Sequence, residues 1–97
     1  MTNENDKIAM AFDPSRIASG DPIGVTIRDS TYWFSPDEVQ SYFSILENKL
    51  RLSLLSNNDN INLTIKEDMV SITQNQLAKL CYLMKQLINT GIFKVLA

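Results

Sequence analysis

Val25 and Ile27 alternate with Thr26 and Arg28, and Tyr32 and Phe34 alternate with Thr31 and Trp33. Period-two spacing of this kind predicts two half-buried strands, each with one apolar face. Polar Asp29 and Ser30 between them predict a tight turn. From Val39 onward the spacing changes. Val39, Tyr42, Phe43, Ile45, Leu46 and Leu50 fall on one broad arc at 100° per residue, which predicts an amphipathic helix from Pro36 to about Leu50 or beyond. Ser35-Pro36-Asp37-Glu38 supplies its start. Ser35 can cap the first-turn N–H groups, Pro36 sits where a missing N–H costs nothing, and Glu38 can reach back to the cap.

The same pattern recurs 38 positions later. Leu63 and Ile65 take the places of Val25 and Ile27, and Val70 and Ile72 those of Tyr32 and Phe34, with Glu67 and Asp68 as the turn candidate. Thr73-Gln74-Asn75-Gln76 repeats the capping box. Leu77, Leu80, Cys81, Leu83, Met84, Leu87 and Ile88 repeat the helical arc, from Gln74 to about Asn89, with Gly91 near its C-terminal cap. Only Thr26/Thr64 and Ile27/Ile65 are identical across this overlay, so it argues for a shared fold unit and leaves common ancestry open.

These elements predict an α+β fold: two ββα units in tandem, residues 24–55 and 61–91, forming a four-stranded antiparallel sheet with two helices packed on one face. Residues 50–54 keep an alternative open. Leu50, Leu52 and Leu54 alternate with Arg51 and Ser53 ahead of the turn-rich Ser56-Asn57-Asn58-Asp59-Asn60, so they read either as the last helical turns or as a strand. The flanks are less regular. Residues 1–7 read as a flexible polar tail, and residues 8–22 as a short apolar segment followed by a loop with two Asp-Pro steps. Residues 92–97 form a second apolar end. Each apolar end is expected to pack as an edge strand or lid, or to dock on a partner or a second copy.

Length and composition narrow the setting. Ninety-seven residues, 44% hydrophobic and 21% charged, fit one domain. A net charge of −2 argues against a general DNA or RNA binder. A single cysteine, Cys81, excludes an internal disulfide and suits a reducing compartment. The polar opening MTNENDK does not resemble a signal peptide, and a cytoplasmic location is expected. With no histidine and one cysteine, the usual zinc spacings and the Ser-His or Cys-His nucleophile pairs are impossible. No glycine-rich phosphate loop is present. The carboxylate pairs Asp37/Glu38 and Glu67/Asp68 lie at a helix start and a turn, where capping and solvation explain them. No catalytic residue, cofactor or metal is therefore expected. Cys81, on the inward arc, reads as a buried structural thiol.

Two surfaces remain as candidates. Strand parity turns Thr26, Arg28, Thr31 and Trp33 away from the helices, along with Thr64, Lys66, Met69 and Ser71. That face is amphipathic. Either Ile8-Ala9-Met10-Ala11-Phe12 folds across it and buries Trp33, or it is an open contact surface with an aromatic anchor. The second surface is the outer margin of the first helix, where Ile45, Leu52 and Leu55 exceed what a neighbouring helix can cover and suggest a dimer seam or a partner contact. The predicted partner-binding residues are Trp33, Arg28, Thr31, Lys66, Met69, Ile45 and Leu52. The expected function is that of a non-catalytic protein-binding module, an inhibitor or regulator that occludes a larger protein or complex, as immunity proteins, antitoxins and phage anti-defence proteins do. A nucleic-acid-binding sheet and a self-associating structural subunit are the alternatives.

Overall fold

The computed structural model describes residues 7–91. Three strands come first: β1 (Ile8–Phe12), β2 (Ile23–Ile27) and β3 (Ser30–Phe34), with one 3₁₀ turn (Pro14–Arg16) between β1 and β2. Helix α1 (Pro36–Ser56) follows, then β4 (Ile61–Ile65), β5 (Asp68–Ile72) and helix α2 (Gln74–Asn89). The expected apolar end at residues 92–97, and most of the expected tail at residues 1–7, lie outside the described residues.

The single four-stranded sheet does not form. Among the described residues there are two separate antiparallel sheets, β1-β2-β3 and β4-β5. Between β3 and β5 the contacts are made by side chains and not by a backbone ladder. The Arg28 guanidinium donates to the Ser71 carbonyl, and the Tyr32 hydroxyl donates to Asp68 Oδ2 at 3.1 Å. These bridges tie the two hairpins together across an open cleft lined by residues of the β2–β3 turn, Tyr32 and β5. The extra strand of the first sheet is Ile8–Phe12, which pairs with β2 from Ile8 opposite Ile27 to Phe12 opposite Ile23. It is therefore an edge strand, and not a lid over Trp33.

The 38-residue repeat extends to backbone geometry. Both hairpins turn at a basic residue with positive φ, Arg28 at 57° and Lys66 at 56°. Left-handed backbone is uncommon for a residue with a Cβ. Its recurrence at equivalent positions marks one hairpin design used twice. The loops are thus Arg28-Asp29 and Lys66-Glu67, one residue earlier than the polar pairs in the sequence suggest. Both caps form complete capping boxes. Glu38 N–H donates to Ser35 Oγ and Ser35 N–H to Glu38 Oε1, with Thr73 and Gln76 repeating the exchange. Ser35→Ala and Thr73→Ala should each lower stability by about 0.5–2 kcal/mol, since each leaves a first-turn donor without its acceptor. Chemical denaturation should show both midpoints reduced.

The core lies between the two sheets and the two helices. Ile23, Val25, Ile27 and Phe34 of the first sheet, and Ile61, Leu63, Ile65 and Ile72 of the second, meet Val39 and Leu46 of α1 and Leu77, Leu80, Cys81 and Met84 of α2. The strand parity read from the sequence therefore holds for these residues, while Tyr32 and Val70, also expected inside, are half-buried beside the cleft. The ambiguous residues 50–54 are helical: α1 continues through Ser56 and ends at Asn57, whose φ of 55° and ψ of 39° form a left-handed cap. Periodicity of 3.6 explains the result. Ser53 lies one heptad beyond Leu46 and is buried on the same stripe, with its hydroxyl satisfied by the Leu50 carbonyl at 2.8 Å.

Candidate functional site

The end of α1 is tied down by polar contacts. Gln74 Nε2 donates to the carbonyls of Ser53, at 3.0 Å, and Asn58, at 2.9 Å, while the Gln74 N–H donates to Asp59 Oδ1. The N-terminus of α2 thereby clamps the last turn of α1. Yet its leucines stay largely in solvent, Leu52 beside the 57–60 loop and Leu55 farther from it. Leu52 is 54% exposed and Leu55 79%, and Ile45 is 52% exposed. At 100° per residue these three share one side of α1, with Lys49 and Arg51 on its two margins. Leu54, also exposed, projects from a different flank. This fixed helix end therefore carries exposed apolar side chains that the core does not use.

The outer faces of the sheets are organised differently. Thr31 is exposed and shares a 3.0 Å contact with Thr26 between their hydroxyl oxygens. Met69 is 75% exposed beside Thr64. Trp33 lies on this side but is half-buried. Its six-membered ring rests on Gly24, its cross-strand neighbour, where a Cβ would meet Trp33 Cζ3 at 3.0 Å. The Arg16 guanidinium stacks over the indole with its carbon 3.9 Å from the ring centroid, held by a hydrogen bond from its Nε to the Asp21 carbonyl. The cover on Trp33 is thus the 13–22 loop and a strand glycine. Glycine inside a strand is a sequence signal for close approach, and Gly24 carried it here.

Arg28 and Lys66 do not lie flat on these outer faces. Arg28 spans the cleft to Ser71. Lys66 turns toward the start of α1, with Nζ 2.6 Å from Glu38 Oε2 and 4.7 Å from the centre of the Phe34 ring. Its backbone N–H also donates to the Tyr42 hydroxyl at 3.1 Å. The cation of the second hairpin therefore locks onto the helix start of the first unit. Of the seven residues singled out from the sequence, Ile45 and Leu52 fall on one side of α1, two turns apart with Asn48 between them. Thr31, Trp33 and Met69 fall on the sheet faces, and Arg28 and Lys66 act as ties between the units. Leu55 completes the α1 stripe; helical spacing from Leu52 was the signal for it.

Glu38 is held below the ordinary carboxylate range, first by its hydrogen bond from Lys66 and then by the Ser35 backbone N–H. A depressed folded value means that the unfolded chain binds this proton more readily. The stabilisation is then complete above the usual carboxylate range and is lost as pH falls through the folded value. Stability should decline on acidification below about pH 4.5, the ordinary glutamate range. Glu38→Gln, which keeps the cap acceptor, should flatten that part of the profile in denaturation series between pH 3 and 6. Cys81 is shifted the other way: burial, then the nearby Glu47 charge, pushes the thiol up to about 11, so it is a packing residue at neutral pH. Among the described residues no cluster of three or more His, Cys, Asp or Glu is placed to hold a metal ion, and no helix is long and apolar enough to cross a membrane.

Comparison of the chain with protein-family models, with curated proteins and with solved structures found no match.

Proposed function

We propose that this chain is a non-catalytic protein-binding module that acts by occluding a larger protein or complex, and that α1 is its docking element. The observation that carries this reading is the stripe of Ile45, Leu52 and Leu55, exposed on a helix end that Gln74 fixes in place. A helix presenting apolar anchors at i, i+7 and i+10 suits an apolar groove. Lys49 and Arg51 on the stripe's margins favour a groove with an acidic rim, since opposite charges at the edge steer and orient the encounter. A cytoplasmic inhibitor or regulator fits this description. Trp33 is a poor platform for base stacking, because Arg16 and Gly24 already engage its ring.

Capture from a lysate of the source cell, with mass spectrometry of the bound proteins, tests the reading. The wild-type chain should enrich a protein that a folded Leu52→Asp/Leu55→Asp variant does not. Equal enrichment by both chains, or recovery of nucleic acid alone, contradicts it.

A further inference from the structure

The free edge of β1 has the register and the charges to pair with itself. The Arg28 N–H donates to the Lys7 carbonyl, and the Asp13 N–H to the Pro22 carbonyl, at the two ends of the β1–β2 ladder. Alternation along an antiparallel pair then turns the backbone groups of Lys7, Ala9, Ala11 and Asp13 toward β2. Those of Ile8, Met10 and Phe12 point to the opposite edge. Among the described residues no strand pairs with that edge. Edge strands are usually protected by an internal charge, a proline or a bulge. Ile8–Phe12 reads IAMAF and contains no charge and no proline. Beside it Met10, Ala11 and Phe12 share an apolar groove with Leu83 and Leu87 of α2.

We propose that β1 pairs antiparallel with β1 of a second copy, about a two-fold axis through Met10, joining the two three-stranded sheets into one six-stranded sheet. In that register Ile8 faces Phe12 of the second copy and Met10 faces Met10, so every outward backbone group meets an outward backbone group. The flanking charges match as well. Lys7 lies opposite Asp13 of the second copy at both ends of the seam, and opposite charges in cross-strand positions stabilise pairing. A strand from an unrelated protein would have to supply both features separately. The seam uses no residue of the α1 stripe, so the dimer presents two docking helices, and the inference does not depend on the function assigned to that stripe.

Sedimentation velocity over a concentration series tests the dimer, and charge patterning tests its register. Ala11 is exposed and Ala9 half-buried on the outer face. The proposed register places Ala9 of one copy opposite Ala11 of the other. Wild type should shift from one chain to two as concentration rises. Ala9→Lys/Ala11→Lys sets like charges against each other and should weaken association at least about tenfold, whereas Ala9→Lys/Ala11→Glu should restore it. Denaturation midpoints for the three chains, measured at concentrations where all are monomeric, separate a folding defect from a seam defect. Two results overturn the proposal. One is a wild-type monomer at every concentration, whether the edge is then held by a strand of another protein or by residues beyond Gly91. The other is equal dimerisation by the two charge variants.

Discussion

Phe34→Ala should cost about 3–5 kcal/mol and leave much of the chain unfolded at room temperature. Phe34 is 1% exposed and is the largest fully buried side chain among the described residues. Its ring meets Tyr42 edge-on, with centroids 5.1 Å apart, and Lys66 covers it at 4.7 Å. Truncation therefore opens a cavity, removes the aromatic pair and strips the Lys66 ammonium of its ring, all where the second hairpin meets α1. A small domain has little stability in reserve against such a loss. Urea denaturation followed by far-UV circular dichroism should show a large drop in midpoint. Phe34→Leu, which keeps most of the volume, should lose less, and the gap between the two variants measures the cavity. Equal midpoints for wild type and Phe34→Ala would mean that the junction is not packed as described.

Replacing Leu52 and Leu55 together with aspartate should have the opposite profile. Both side chains are mostly in solvent, so exchanging them for charged groups should change stability by only about 0.5 kcal/mol at each site. Against an apolar groove the same change buries uncompensated carboxylates and loses two anchors. Binding should weaken by at least about 2 kcal/mol, roughly thirtyfold in Kd. Titration calorimetry with the captured protein reads the affinity, and thermal denaturation of the free chain reads the stability. The pairing of a large binding loss with a melting temperature lowered by no more than several degrees separates a docking surface from a structural one.

Local chemistry makes most of the elements legible in the sequence. Ser35 and Thr73 announced both helices because caps depend on a few neighbouring residues. Alternation around Thr26 and Thr64 gave the correct strand faces because period two admits only two choices. Pairing between distant edges was not legible. Nothing local to Tyr32 or Arg28 states that one will reach Asp68 and the other Ser71, and those two side-chain bridges connect the sheets in place of a ladder. Ile8–Phe12 was ambiguous for a related reason, since a five-residue apolar run fits an edge strand as well as a lid. The turns slipped by one residue because positive φ fell on Arg28 and Lys66, and not on a residue type that advertises it. On the candidate site, helical spacing found the α1 stripe, while the cover on Trp33 depended on where the 13–22 loop folds.

Side-chain oxidative footprinting of the chain, free and bound to its captured protein, tests the docking assignment most directly, because leucine and methionine report their own exposure. Leu52 and Leu55 should be labelled in the free chain and protected in the complex, while Met69 on the sheet face, 75% exposed, should stay labelled in both. Protection confined to Met69 and Trp33, with Leu52 and Leu55 labelled as before, would contradict α1 as the docking element.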